Sequence, residues 1–187
     1  MNEQELKRKS KFLSLILRHQ PEKVNLTLDS AGYVNVEKLL SSINNTTNMS
    51  IDKDQLDEII ENNNKKRFAY SEDGKSIRAS QGHSVPVDLG LSAKIPPDTL
   101  YHGTIDTFLD SISRAGISKM KRNHVHLSKD KETAINVGSR RAFGNIKVVV
   151  FEVDAKTMYD AGYRFFESDN GVWLTSHINP LYIKLMD

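Results

Sequence analysis

The chain has 187 residues, 38% of them hydrophobic and 27% charged, with a net charge of +2 at pH 7. That length suits one large domain or two small ones around a real core, and the small charge leaves any polyanion partner to local clusters of Lys and Arg. The absence of cysteine excludes disulfides, thiolate catalysis and Cys-based zinc sites. With no run of 18 apolar residues and no apolar signal core after Met1, the expectation is a reduced, cytoplasmic protein without a membrane partner.

Residues 4–20 read as a helix, with Leu6, Leu13, Ile16 and Leu17 at three- and four-residue spacings, stopped by Pro21. Arg18 and His19 fall in its last turn, where the helix dipole already favours positive charge, so capping alone explains them. Tyr33 to Val36 reads as a short strand, Glu37 to Ile43 as a helix, and Asn44 to Asn48 as a loop. Ser50 is the expected cap of a third helix that buries Ile51, Leu56, Ile59 and Ile60. Arg67 to Ser71 and Ser76 to Ala79 flank an Asp73-Gly74 turn and predict a hairpin. Three helices and a hairpin suggest a winged-helix arrangement, an analogy of fold that says little about activity by itself. The Pro-containing stretch from Val85 to Pro97 reads as a semi-rigid connector, so the expected domains are 1–95 and 96–187.

The second half predicts mixed strands and helices. Leu100 to Gly103 reads as a strand, and Thr104 as the cap of a helix with Phe108, Leu109 and Ile112 inward, ended by Gly116. His124 to Leu127 alternates like a strand. Ser128 is the expected cap of a helix from Lys129 to Val137, ended by Gly138. Ile146 to Val153 is the most apolar strand and the expected centre of a sheet. Asn170-Gly171 marks a tight turn before a strand at Val172 to Thr175, and Leu181 to Met186 closes the chain.

Several residues are suited to chemistry. Tyr101-His102-Gly103-Thr104 offers an aromatic ring, an imidazole and a backbone open to close approach. Arg114, Lys119, Lys121 and Arg122 lie in an acid-free stretch, Arg140-Arg141 form a second basic cluster and Lys65-Lys66-Arg67 a third. Each reads either as a solvated face or as a phosphate site; Arg suits the latter because its fork matches phosphate oxygens bidentately. His124 and His126 share a strand face, but no acid lies nearby and the neighbours are cationic, so no metal is expected. Neither a Gly-x-Ser-x-Gly elbow nor a Gly-rich phosphate loop is present.

Taken together, Leu17-Arg18-His19, Lys66-Arg67-Phe68, Ile77-Arg78-Ala79-x-Gln81-Gly82-His83-Ser84, Tyr101-His102-Gly103-Thr104, Arg122-Asn123-His124-Val125-His126-Leu127-Ser128, Val137-Gly138-x-Arg140 and Asn170-Gly171-Val172-x-Leu174-Thr175 resemble the NAD-dependent RNA 2′-phosphotransferases of the KptA type. The resemblance runs along nearly the whole chain. It implies an α+β fold, with an N-terminal winged-helix-like lobe and a C-terminal mixed-sheet lobe like that of ADP-ribosyltransferases. The implied reaction moves an internal RNA 2′-phosphate, such as one left at a tRNA splice junction, to NAD. It does so in two steps through an RNA-phospho-ADP-ribose intermediate, releasing nicotinamide and ADP-ribose 1″,2″-cyclic phosphate.

By the same resemblance, Arg18, His19, Arg67 and Arg122, drawn from both lobes, hold the phosphate, with His19 the candidate acid for the departing RNA 2′-oxygen. Tyr101, His102, Gly103, Thr104, His126 and Ser128 serve NAD, the Gly103 backbone pairing with the carboxamide. Arg140 serves either the NAD pyrophosphate or the RNA. Arg78, Gln81 and His83 carry structural readings nearly as well. Val172 stands where many ADP-ribosyltransferases place a Glu, which suits a nucleophile that is itself an anion. One departure is visible: after Val137-Gly138-Ser139-Arg140 the pattern implies a tight basic-Gly continuation, and Arg141-Ala142-Phe143-Gly144 is longer. The implied partners are NAD and an RNA carrying a 2′-phosphate, contacted around one phosphate, by a monomer. Two other readings stay open: an ADP-ribosyltransferase that caps terminal nucleic-acid phosphates and stops after one step, and a nonenzymatic winged-helix nucleic-acid binder.

Overall fold

Apolar residues at helical spacing on an otherwise charged segment fold only by burying that stripe. In the computed structural model, which describes residues 1–63 and 65–186, the first such stripe is α1 (Glu3–Arg18). Asn2 caps it by accepting the Glu5 N–H, and Leu13, Ile16 and Leu17 are fully buried. Each such side chain contributes about 1.5–3 kcal/mol of burial. After a 3-10 turn at Pro21–Val24 come β1 (Val34–Asn35) and α2 (Val36–Thr46), which adds Leu39 and Ile43 to the same core.

Two expectations fail here for one reason. The Asn44 side chain accepts the Ile51 N–H at 2.9 Å and donates to the Ile51 carbonyl at 3.1 Å. Engaged with Ile51, that amide does not compete for its own helix backbone, so α2 continues through the segment expected as a loop. Asp52, in extended backbone, accepts the Gln55 N–H, and α3 (Lys53–Glu61) starts after it, not after Ser50. β2 (Phe68–Tyr70) and β3 (Ser76–Ala79) form the expected hairpin around Gly74 (φ 69°), and β1 pairs on the other side of β3.

The chain divides into two compact units, Met1–Gly90 and a second beginning at Leu91. Ala93 bridges to Phe166, and the Lys94 N–H donates to the Phe165 carbonyl at 2.8 Å, which ties that stretch to the second unit.

The second unit starts with β4 (Thr99–Ile105), longer than expected because Thr104 and Ile105 continue the strand and are buried. Thr104 therefore caps nothing; a 3-10 turn at Asp106–Phe108 leads into α4 (Leu109–Ala115), and Phe108 is exposed instead of inward. Then follow β5 (Ile117–Ser118), β6 (Val125–Leu127), α5 (Lys131–Gly138), β7 (Val148–Asp154), α6 (Ala155–Asp160), β8 (Phe166–Glu167), β9 (Trp173–Thr175), β10 (His177–Ile178) and β11 (Ile183–Leu185). Asp130, not Ser128, caps α5 by accepting the Thr133 N–H, because Ser128 is already paired to β4. Gly138 lies inside α5, not after it.

β7 is central, between β11 and β4; β6-β9-β8 and β10-β5 form two smaller sheets. The mixed sheet expected here is absent: among the described residues every pairing is antiparallel. The excursion after β4 returns to the end it left, since α5 finishes beside Thr104 and β7 begins with Val148 opposite Ile105. A strand that re-enters at that end must run antiparallel. The chain is thus a mixed α/β protein with six α-helices and small antiparallel sheets among the described residues.

Candidate active site

In the first unit, the Ser80–Ser84 segment after β3 holds two separate stretches of the chain. Ser84 donates its N–H to the Arg18 carbonyl at 2.9 Å, and its hydroxyl lies 2.9 Å from Nδ1 of His19. Ser80 donates its N–H to the Arg67 carbonyl at 2.9 Å and its hydroxyl to the Lys66 carbonyl at 2.7 Å. Arg18, His19 and Arg67 are therefore docked on the same five residues. Gly82 makes this possible: its φ of 88° suits glycine, and a Cβ there would rest 3.6 Å from Nη1 of Arg18. Arg67 also donates from Nη1 to Asn63 Oδ1 at 3.2 Å.

His83 is only 2% exposed, and its pKa is pushed down to about 4. Burial is the main cause, and the charges of Arg18, His19 and Arg78 add to it. A neutral imidazole thus feels the charges of Arg18, His19 and Arg78 without adding to them. Arg78 has a structural role: Nη1 donates to the carbonyls of Ala31 (3.4 Å) and Leu89 (3.2 Å), and the guanidinium covers the Tyr33 ring at 4.7 Å.

In the second unit, β4 and β6 meet at one pair of residues and then separate. Tyr101 and Ser128 exchange both backbone hydrogen bonds, at 2.9 and 2.8 Å. Continued pairing would place Gly103 against His126. Instead, the His126 carbonyl accepts from Nδ1 of His102 at 3.1 Å. Strand alternation turns the Gly103 N–H and C=O to the same edge as those of Tyr101, away from β7. Among the described residues no strand pairs with Gly103 on that edge. The glycine itself is required by the opposite demand, helix packing: a Cβ on Gly103 would collide with the Ala134 carbonyl of α5. Gly138 also packs closely, though less so, its Cβ position lying 2.8 Å from the Thr104 carbonyl oxygen. Thr104 is buried at this contact.

A carbonyl oxygen only accepts, so His102 carries its proton on Nδ1. Burial lowers the pKa of His102, the hydrogen bond to His126 opposes that, and the charges of Arg141 and Arg122 lower it further. The ring is neutral at pH 7, which makes Nε2 an acceptor. Arg122 follows a turn in which its N–H donates to Lys119 at 3.0 Å. Its surface is exposed, yet partial desolvation and then the charges of Arg141 and Arg140 lower its pKa. A guanidinium stays protonated in a protein, so three cations crowd together. Among the described residues no carboxylate pairs with Arg122, Arg140 or Arg141.

Val172 stands just before β9, not within it as expected, after a turn in which Gly171 donates to the Ser168 carbonyl at 2.8 Å. Among the described residues no group of three or more His, Asp or Glu side chains is placed to hold a metal; His124 contacts the Phe166 ring instead, at 5.8 Å. The sequence assigns no role to Ser80 or Ser84, and Arg141 figures there only as part of the Arg140-Arg141 cluster. Only Arg141 left a usable signal, its place beside Arg140; the serine partners lie 14 and 65 residues away in sequence.

An open strand edge, a neutral imidazole acceptor and a cluster of three arginines that no carboxylate pairs with among the described residues suit the binding of a nucleotide and an additional phosphate. The family model for RNA 2′-phosphotransferases, described as the Tpt1/KptA family, matches residues 4–177. The chain belongs to that family. A protein of Flavobacterium johnsoniae called probable RNA 2′-phosphotransferase is 50% identical over 184 residues, covering 98% of each chain. One from Herpetosiphon aurantiacus with the same name is 49% identical over 185 residues, covering 99% of each. A third, from Hahella chejuensis, is 49% identical over 186 residues, covering 99% of this chain and 97% of its own. As a member of the RNA 2′-phosphotransferase family, the chain is a transferase acting on RNA. Among the described residues no helix is long and apolar enough to cross a membrane.

Proposed function

We propose that this RNA 2′-phosphotransferase uses NAD as co-substrate and transfers the phosphate in two steps, with a winged-helix-like first unit and an ADP-ribosyltransferase-like second unit. The RNA 2′-phosphate attacks ribose C1″ of NAD and nicotinamide leaves with the bonding pair. The ribose 2″-hydroxyl then attacks phosphorus, the bond to the RNA 2′-oxygen breaks, and that oxygen takes up a proton. The products are RNA with a free 2′-hydroxyl and ADP-ribose 1″,2″-cyclic phosphate; the phosphate of a spliced tRNA fits this substrate class.

The observation that carries this reading is the separation of β4 from β6 after Tyr101 and Ser128. It leaves the Gly103 N–H and C=O on an open edge, one donor and one acceptor, the complement of a primary carboxamide. Beside them, neutral His102 offers Nε2 to a ribose hydroxyl, while Tyr101, Thr104, His126 and Ser128 build the walls. These groups suit nicotinamide riboside; a cationic imidazole would repel its pyridinium.

A phosphate monoester with a second pKa of about 6 is already a nucleophilic anion at pH 7, so the first step requires no general base. What it requires is orientation and neutralisation. Arg18, Arg67 and Arg122 are the assigned phosphate ligands, with His19 as proton donor to the leaving 2′-oxygen. Ser84 fixes the ring of His19 through Nδ1, which turns Nε2 to the substrate. The cytoplasm, where such RNA and NAD occur, is the proposed location, and the monomer the proposed working form.

Incubation with NAD and a short RNA bearing one internal 2′-phosphate tests the proposal. Nicotinamide release that requires the 2′-phosphate supports it. Release leaving a stable ADP-ribosyl group on the RNA identifies a one-step capping enzyme instead, and binding without release identifies a nucleic-acid binder.

A further inference from the structure

The loop from α5 to β7 holds a feature that the phosphate-transfer chemistry does not use. After Gly138 the chain makes two consecutive turns, Arg141 donating to the Gly138 carbonyl at 3.0 Å and Ala142 to Ser139 at 3.2 Å. A third turn, Ile146 donating to the Phe143 carbonyl at 3.2 Å, is completed by Gly144 at φ 61°. These bonds hold Phe143 outward, 75% exposed, at the corner of an ordered loop. Arg140, Arg141 and Lys147 of the same loop are also exposed.

One exposed aromatic residue means little by itself. Here it projects from the loop that carries Arg140 and Arg141, the two guanidiniums that act on Arg122, and no carboxylate among the described residues neutralises the three. Such a cluster lowers its own repulsion by taking an anion. An aromatic face next to phosphate-binding guanidiniums is how proteins hold unpaired nucleotides: the ring stacks on a base of any identity, and the arginines take the backbone.

We propose that Phe143, with Arg140 and Arg141, forms a ledge for the single-stranded nucleotide adjoining the phosphorylated one, the base stacked on Phe143 and its phosphodiester on the two arginines. The assignment of RNA, and not of the adenine of NAD, rests on the reading that places the RNA phosphate at Arg122. The ledge gives preference for an unpaired neighbour without preference for its sequence.

Equilibrium binding of a fluorescent hexanucleotide with one internal 2′-phosphate, measured without NAD, decides this independently of turnover. Phe143→Ala is expected to weaken binding about tenfold, within the range that base–aromatic stacking supplies. Phe143→Trp restores it, and an abasic neighbour on the RNA removes the difference between wild type and Phe143→Ala. The exposed side chain predicts unchanged thermal stability in both variants. Equal RNA affinity of wild type and Phe143→Ala overturns the proposal. So does a rise confined to the KM for NAD, which would assign the ring to adenine. Failure of wild type to release nicotinamide breaks the proposed function, while the binding comparison still reads the ledge.

Discussion

The two units prepare their functional groups in opposite ways. In the first, Arg18, His19 and Arg67 are bonded to the Ser80–Ser84 segment, and burial keeps the imidazole of His83 neutral. In the second, backbone hydrogen bonding is interrupted on purpose of the fold. β4 and β6 separate after one pair, the Gly103 edge opens, and among the described residues three arginines stand without a carboxylate. The first arrangement fixes charge, at the cost of burying a titratable ring. The second keeps polar groups available and spends its packing on the α5 contact behind them. Both follow from glycines in distinct roles: Gly82 for a left-handed backbone, Gly103 for close approach.

The largest expected effects come from removing the proposed phosphate ligands of either unit. Arg18→Ala, Arg67→Ala and Arg122→Ala should each lower the single-turnover rate by about a hundredfold or more, the usual loss for a group that stabilises transition-state charge. A loss under tenfold for any one of them removes it from the phosphate site.

His83 predicts a pH dependence for the first unit. Its folded pKa of about 4 lies below the ordinary value of 6.5, so below pH 6.5 the unfolded chain binds the extra proton. The contribution to stability is fully present above pH 6.5 and is lost as pH falls towards 4. It amounts to about 3 kcal/mol at most. Denaturant titrations at pH 7 and 4.5 check the sign, and His83→Asn should flatten the difference.

Gly103→Ala probes the second unit. The new methyl group meets backbone, which cannot rotate away, so about 1–3 kcal/mol of destabilisation is expected, read as a fall in Tm. Gly82→Ala has room for its methyl group and suffers only from its φ, so its cost should be smaller.

The smallest effect should be that of Ser84→Ala. It loses the hydroxyl at Nδ1 of His19 but keeps the N–H bond to Arg18, so the rate should fall less than tenfold, with a shift in the pH profile that Ser84→Thr reverses. An unchanged profile would leave Ser84 a purely structural cap.

Much of this was legible in the sequence because it is local. Helical spacing gave α1 and the Asp73-Gly74 turn gave the hairpin, since each depends on neighbours a few residues away. What failed depended on distant partners. The Asn44 side chain looked like a loop former until Ile51 occupied it, and Ser128 looked like a cap until Tyr101 paired with it. In the candidate site, the arginines and the Tyr101–Thr104 run were recognisable as residue types. Their supports, Ser80 and Ser84, were not, because nothing in a serine announces a partner across 65 residues. Gly103 was noticed for one reason and proved to serve a second: the helix behind it forbids a side chain as firmly as a ligand would.

The most direct test follows the phosphorus atom. An RNA with a radiolabelled internal 2′-phosphate, incubated with excess NAD, should pass its label quantitatively to a small product that is ADP-ribose cyclic phosphate, leaving unlabelled RNA with a free 2′-hydroxyl. Label released as inorganic phosphate, or kept on the RNA while nicotinamide is released, would contradict the two-step transfer.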